Sequence, residues 1–263
     1  MPKIHNDKYY TSKELAKDLI KETFKILQNE NISEIIEPSA GDGAFSSQLN
    51  CIAYDIEPQH PNIIKADFLN LDLTYKKGRL FIGNPPFGAR NNLSQKFFKK
   101  CVRYGDYVAF IQPISQLGNN FQLYEFDLIY SKDLGVRDYS GVKLHCCFNI
   151  YKRPLNGKLN KKPDYRLKDV IIKEYRRNSS YKKPENYDFG ICNWGNGTLG
   201  KTPKFVGEYA QEVYFYCKPE FLEQVKELMS YENIRAYVNS ISMKKISVAR
   251  LYKYIKENIK GIK

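Results

Sequence analysis

Between residues 12 and 27, apolar side chains fall at Leu15, Leu19, Ile20, Phe24 and Leu27. This spacing gathers them on one helical face, with Ser12 placed as the N-cap. Beyond it the pattern shortens to brief apolar runs, each closed by a turn or an acidic residue. Ile35-Ile36 enters a Gly-rich turn, and Phe45 to Leu49 reads as a short helix. Cys51-Ile52-Ala53-Tyr54 ends in Asp55, Ile63-Ile64-Lys65-Ala66 ends in Asp67, and Arg79 to Gly83 runs into two prolines. Leu93 to Tyr104 restores the helical period, and Tyr107 to Ile111 is strand-like again. Leu128 to Tyr130 and Leu144 to Tyr151 have no clear helix between them, which predicts an antiparallel hairpin at a sheet edge. The alternation as a whole predicts an α/β domain, a parallel sheet with helices on both faces.

After Arg153-Pro154-Leu155-Asn156-Gly157 the texture changes. Lys, Tyr, Asn and Gly become dense, and residues 176–183 read as an exposed basic loop. Phe221 to Met229 and Arg250 to Ile259 carry helical periods. The chain is therefore read as a domain over 1–154 and a small, basic α+β domain over 155–263.

Composition narrows the partners. With 263 residues there is room for a main domain of about 150 residues and a smaller one. No apolar leader opens the chain and no apolar run approaches membrane-spanning length, which predicts a soluble, cytoplasmic protein with no membrane partner. Cys51, Cys101, Cys146, Cys147, Cys192 and Cys217 show no Cys-x-x-Cys spacing, and the three histidines add little, so no metal is expected. Residues 1–150 carry 18 Lys and Arg against 17 Asp and Glu, whereas residues 151–263 carry 24 against 12. A generally Lys-rich composition would show its excess throughout. A basic second half beside a neutral first half is the footprint of a polyanion.

Asn84-Pro85-Pro86-Phe87 is the stretch with the most chemistry. Two prolines fix two φ angles and remove two donors, so the segment forms a stiff elbow past a buried strand. An amide oxygen and a bare carbonyl can accept both hydrogens of an exocyclic amino group, while a ring stacks on its plane. Upstream, Glu37-Pro38-Ser39-Ala40-Gly41-Asp42-Gly43 follows the first strand, where glycines let a ligand approach the backbone. Asp55, at the next strand end, is placed to accept from ribose hydroxyls. Asp67 is placed to accept from an adenine amino group. The turn is acidic, which suits an ammonium rather than a pyrophosphate. Together these features describe adenosine with a cationic amino-acid tail, S-adenosylmethionine.

At these residues the chain resembles the class I S-adenosylmethionine-dependent methyltransferases, and among them the amino-methyltransferases with Asn/Asp-Pro-Pro-aromatic. Tyr9-Tyr10-Thr11-Ser12-Lys13-Glu14-Leu15 resembles the N-terminal cofactor-binding element of the gamma group of DNA adenine-N6 methyltransferases. The glycine turn, Asp55-Ile56-Glu57-Pro58, Ala66-Asp67-Phe68-Leu69 and the elbow then follow in that group's order. The resemblance covers residues 9–151. It implies a Rossmann-like class I methyltransferase sheet with a late hairpin and S-adenosylmethionine as cofactor. It also implies double-stranded DNA as partner and a C-terminal target-recognition domain, in an enzyme that is either solitary or paired with a cognate restriction endonuclease.

Residue by residue, the resemblance implies cofactor contacts from Thr11, Glu37, Ser39, Gly41, Asp55, Ile56, Asp67, Phe68 and Asn84. Asp55 holds the ribose, Asp67 the adenine, and Glu37 with Thr11 the methionine end. Phe68 and Ile56 either flank the adenine or pack in the core. Asn84 and the Pro85 carbonyl bind the target amino group, and Phe87 stacks on the extruded base. Tyr151, or else Phe148, supplies a second aromatic. In the basic half, Arg176, Arg177, Lys182 and Lys183 are phosphate contacts or a solvated loop. Trp194 reads bases or fills the small domain's core, and Lys244 with Lys245 offers another backbone contact.

Related elbows also serve RNA methyltransferases and protein-glutamine N5 methyltransferases. The glutamine enzymes carry their extra domain before the core, and here the added, basic mass follows it. A cytosine-C5 enzyme needs a nucleophilic Pro-Cys, and none of the cysteines follows a proline. An inactive, nucleic-acid-binding relict predicts damaged cofactor motifs, and these are intact.

Overall fold

A seven-stranded sheet organises the first of two units, Met1–Pro163 and Asp164–Lys263, into which the chain divides. The computed structural model describes residues 9–118, 122–195, 197–239 and 245–263, and of Arg90 the backbone alone. Helix α1 (Lys13–Ile26) forms where the apolar period places it, and the Ser12 hydroxyl accepts from the Leu15 amide at 3.2 Å. Strands β1 (Glu34–Glu37), β2 (Ile52–Asp55), β3 (Ile64–Lys65) and β4 (Arg79–Gly83) follow, then helix α2 (Asn92–Tyr104) and strand β5 (Tyr107–Pro113). The hairpin is longer than its apolar residues suggest, running through β6 (Asp127–Tyr139) and β7 (Val142–Lys152).

Strand order is β3-β2-β1-β4-β5-β7-β6. Pairing is parallel from β3 to β5, and β7 runs antiparallel to both of its neighbours. The architecture is the expected Rossmann-like sheet, with its late antiparallel hairpin. Its two faces explain why β4 and β5 are continuous apolar runs. Leu80, Ile82, Ala109 and Ile111 pack with Leu15 and Leu19 of α1, while Phe81, Val108 and Phe110 pack with Phe97 and Phe98 of α2. Each such Leu, Ile, Val or Phe side chain, fully buried, contributes about 1.5–3 kcal/mol.

Two expectations change. The glycine turn opens no α-helix: a single 3-10 turn, Ser46–Gln48, leads straight back to β2. Among the described residues the β2–β3 and β3–β4 connections hold no α-helix either, so α1 and α2 supply the helical cover. The divide between units falls after Pro163 rather than near 155. Arg153 donates to Asp106 at 2.8 Å and lies against the rings of Tyr75 and Phe126. Farther on, Asn160 donates to the Glu125 carbonyl and the Asp127 carboxylate, so this segment stays with the first unit.

The second unit is α+β. Strands β8 (Val170–Arg176), β9 (Phe189–Cys192) and β10 (Gln211–Cys217) form an antiparallel sheet in the order β8-β10-β9. Helices α3 (Pro219–Leu228), α4 (Tyr231–Asn239) and α5 (Val248–Asn258) share an apolar core with its Val170, Ile172, Ile191, Val213 and Phe215. Among the described residues no helix is long and apolar enough to cross a membrane.

Candidate active site

Strand order reverses between β1 and β4, and doubly wound sheets hold ligands at the carboxyl ends of strands flanking such a point. A cavity of about 280 Å³ lies there. Thr11, Glu37, Ser39, Gly41, Asp55, Ile56, Asp67, Phe68 and Asn84, scattered over 74 positions of sequence, all line it. So do Asp42 and Glu57, and among the described lining residues there is no Lys, Arg or His. Five carboxylates without a cation repel a phosphate and attract an ammonium or sulfonium.

Glu37 is the most buried of these acids, 2% exposed at the end of β1, with Oε2 accepting from the Ser46 amide at 2.8 Å. Burial pushes its carboxyl up to about 8, against the Ser46 hydrogen bond and with added repulsion from Asp42 and Asp55. A carboxyl kept from ionising beside a cavity is a seat waiting for a cation. The β4 end passes close by: a Cβ on Gly83, at φ +149°, would stand 3.3 Å from Glu37 Cγ.

Asp55 latches the glycine turn. Its Oδ2 accepts from Gly41 N at 2.7 Å and its Oδ1 from Glu57 N at 2.8 Å. An ionised carboxylate offers about four acceptor sites, so two remain for a ligand's donors. Gly41 itself sits at φ +55°, and a Cβ there would meet the Tyr10 ring at 2.8 Å. Asp67 caps the next turn, accepting from Leu69 N at 2.9 Å and from Asn70 Nδ2 at 2.7 Å. Phe68 lines the cavity and also packs in the core, stacked on Phe97 with centroids 5.7 Å apart. Ile56 is 56% exposed at the rim, which removes its core-packing alternative.

At the elbow, Asn84 Nδ2 donates to the Tyr9 carbonyl at 2.9 Å and to Thr11 Oγ1 at 3.1 Å. A peptide oxygen can only accept, so these bonds fix which way the amide faces. Its other end, Oδ1, is buried and has no partner. Ser39 Oγ is likewise buried without one. Native structures leave few such atoms, and at a cavity they mark where a ligand bonds.

The aromatic assignments fare differently. Phe87 does not line the cavity; it is half-buried with its centroid 6.0 Å from that of Tyr9, which does. Pro85 is buried beside it, and Pro86 reaches the lining. Tyr151 is a correction. It is 0% exposed in the α2-side core, edge-on to Phe98 at 4.8 Å, with its hydroxyl donating to Gln112 Oε1 at 2.9 Å. Alternation along β7 turns it under α2 and away from the cavity. Phe148, its alternative, is 0% exposed in the α1-side core.

Several contributors carried no sequence signal. The Tyr9 carbonyl that holds Asn84 is one, since any residue has a carbonyl. Lys100 is another: its ammonium donates to the Leu69 carbonyl at 2.9 Å and to that of Leu71, beneath the Phe68 ring. It thereby holds the turn that carries Asp67 and Phe68. Asn91 and Ser94, just past the elbow, also bear buried polar atoms without partners.

In the second unit, Arg177, Lys182 and Lys183 are exposed. Arg176 is not free for a phosphate, because its Nη2 donates to Glu174 at 3.0 Å. Trp194 is 47% exposed, so it stands out of the unit rather than filling it. Lys245 pairs with Glu174 at 3.3 Å, and Lys244 lies outside the described residues. Among the described residues there is no group of three His, Cys, Asp or Glu arranged to hold a metal.

No family model matches the chain, and no curated protein matches it. Among solved structures it is similar to a protein from Pyrococcus horikoshii provisionally described as an RNA methyltransferase. There the identity is 14% over 59% of this chain and 91% of that one, with a TM-score of 0.45. It is similar to the 23S rRNA methyltransferase ErmE at 16% identity, over 56% and 70% of the two chains, TM-score 0.41. A class I S-adenosylmethionine-dependent methyltransferase from Listeria monocytogenes, also a provisional description, shares 14% identity over 62% and 65%, TM-score 0.45. Likenesses this distant leave the chemistry to be read from the chain's own strand order and site.

Proposed function

We propose that this protein transfers the methyl group of S-adenosylmethionine to N6 of an adenine held out of duplex DNA. The observation that carries the reading is Asn84, whose amide nitrogen is tied down and whose oxygen is left open at an acidic cavity. S-adenosylmethionine, when bound, supplies an electrophilic methyl group on a sulfonium sulfur. The residues present fit it: Glu37 meets the ammonium, Asp55 the ribose, Asp67 and Phe68 the adenine, and Ser39 gains a partner for its hydroxyl.

Adenine N6 is a poor nucleophile because its lone pair is shared with the ring. Asn84 Oδ1 and the Pro85 carbonyl accept its two hydrogens, which favours a pyramidal nitrogen as the new N–C bond forms. This interaction strengthens toward the transition state, where it accelerates the reaction. The proton released afterwards passes to water, and no side chain is needed as nucleophile. Extruding a base costs a few kcal/mol, and stacking on an aromatic face returns about 1–3 kcal/mol. Phe87, three residues past Asn84 with Tyr9 packed against it, offers such a face. The basic second unit supplies phosphate neutralisation and target choice.

Tritiated methyl transfer to duplex DNA, structured RNA and protein tests the reading. Label in duplex DNA is expected. Label confined to RNA or to protein would move the substrate elsewhere while leaving the cofactor chemistry in place.

A further inference from the structure

Helix α1 and strand β4 are packed together before their ends reach the cavity. Leu15, Ala16 and Leu19 of α1 share one apolar core with Leu80 and Ile82 of β4. Ser12 caps the helix: its hydroxyl accepts from the Leu15 amide, and its carbonyl accepts from the Ala16 amide at 3.0 Å. Thr11 immediately precedes that cap and is 6% exposed. Asn84 immediately follows β4. Two packed elements therefore bring a threonine hydroxyl and the elbow amide together, although 73 positions separate them in sequence.

Both hydrogens of Asn84 Nδ2 have an acceptor, the Tyr9 carbonyl at 2.9 Å and Thr11 Oγ1 at 3.1 Å. The two bonds do different things. A carbonyl only accepts, so the Tyr9 bond decides which end of the amide faces the N-terminal segment. A hydroxyl can accept or donate, so the Thr11 bond cannot make that choice. What it adds is a second fixed point. One bond leaves the amide free to swing about it, whereas two from the same nitrogen fix its plane. With the plane fixed, the lone pairs of the open Oδ1 have one direction. Thr11 also lines the cavity, and the family resemblance makes it a contact for the methionine end of the cofactor. Its hydrogen bond to Asn84 gives it a different task.

We propose that Thr11 is a positioning residue of the methyl-transfer site. Its hydroxyl holds the Asn84 amide plane so that Oδ1 is aligned with the amino group about to be methylated. A group aligned in advance costs no reorganisation as the reaction proceeds. Thr11 acts on the rate through Asn84, and affinity for the cofactor does not depend on it. The inference rests on the role given to Asn84 above and adds to it the residue that sets its alignment.

The test compares Thr11→Val, which keeps the side-chain shape without the hydroxyl, with Thr11→Ser, which keeps the hydroxyl. Rates are measured on whichever acceptor takes the label, beside calorimetric affinity for S-adenosylhomocysteine. Thr11→Val should lower kcat about tenfold with KM and cofactor affinity nearly unchanged, and Thr11→Ser should recover most of the rate. On an Asn84→Ala background Thr11→Val should cost nothing further, because residues acting through one group are not additive. Side-chain amide spectra of the ligand-free protein give a second readout, with the Asn84 pair assigned by its absence in Asn84→Ala. One of its two hydrogens should move upfield in Thr11→Val and stay in place in Thr11→Ser. Weakened cofactor binding with kcat kept would make Thr11 a cofactor contact and overturn the inference. Losses that multiply in the double variant, or spectra that do not change, would also overturn it. Full kcat in Asn84→Ala would remove the role of Asn84 and the inference together. Label in RNA or protein alone would move the substrate, and the same kcat loss on that acceptor would uphold the inference.

Discussion

Asn84 in the first unit and Asn193 in the second share one arrangement of the amide. Each has its amide nitrogen tied to two acceptors and its oxygen buried without a partner. Asn149, in the first unit's sheet, shows what a structural asparagine looks like instead. It is as enclosed as Asn193, but its nitrogen reaches Gln112, the Gln116 carbonyl and Tyr151, and its oxygen accepts from Ser131 at 2.6 Å. Asn149 is as buried as Asn193, so burial does not mark function. The mark is an acceptor at the cavity whose direction is fixed and whose partner is missing, which costs stability until a ligand arrives. The two open asparagines differ in what surrounds them. Carboxylates and an aromatic pair stand around Asn84, whereas Asn193 stands beside Glu174, to which Arg176 and Lys245 are already paired.

That contrast breaks or sharpens under substitution. Asn84→Ala should lower kcat by about 100-fold or more, as removal of a transition-state hydrogen-bonding group does, with a much smaller change in cofactor affinity. Steady-state rates beside calorimetric binding separate the two, and an equal loss in both would make Asn84 a cofactor residue.

A pH series on Glu37 has the next largest effect. Its carboxyl is raised from 4.5 to about 8 in the folded protein. Its contribution to stability is therefore full below the lower value and is lost as pH rises through the upper one. An ammonium ligand needs the ionised form, so binding releases a proton below pH 8. Affinity for S-adenosylhomocysteine should rise about tenfold per unit toward pH 8 and then level, and Glu37→Gln should flatten the slope. A flat wild-type profile contradicts the cation seat.

Asn149→Ala should cost about 1–3 kcal/mol of unfolding free energy by stranding its partners, with kcat retained in the folded protein. A lost kcat at unchanged stability would place Asn149 in the site and dissolve the contrast. Smallest of all, Tyr151→Phe should lower stability by about 0.5–1.5 kcal/mol and leave methyl transfer intact. Loss of transfer there would return Tyr151 to the base-stacking role.

Most of the first unit was legible because its strands are short apolar runs ended by residues with their own signal, such as Asp55, Asp67 and the prolines. Glu37, Asp55, Asp67 and Asn84 of the cavity lining followed, since each sits at or just past a strand end. The missing helix after Gly43 was not legible, because a glycine turn is compatible with either a helix or a single 3-10 turn. Tyr151 was misplaced for a different reason. Its position at the end of β7 is clear from sequence, but the face it takes depends on register, and one residue reverses it. The second unit was the least legible. Val213-Tyr214-Phe215-Tyr216 is buried on both faces or nearly so and shows no alternation. Glu174, Arg176, Asn193, Gln211 and Lys245 lie far apart in sequence and meet only once β8, β9 and β10 pair.

The central claim is that the open oxygen of Asn84 holds an adenine amino group during methyl transfer. Nucleoside mass spectrometry of DNA from a host expressing the wild-type chain or Asn84→Ala tests it most directly. N6-methyladenine in the first and only background levels in the second is the predicted result. Equal N6-methyladenine in both, or unmodified adenine with wild-type protein that binds the cofactor, would contradict it.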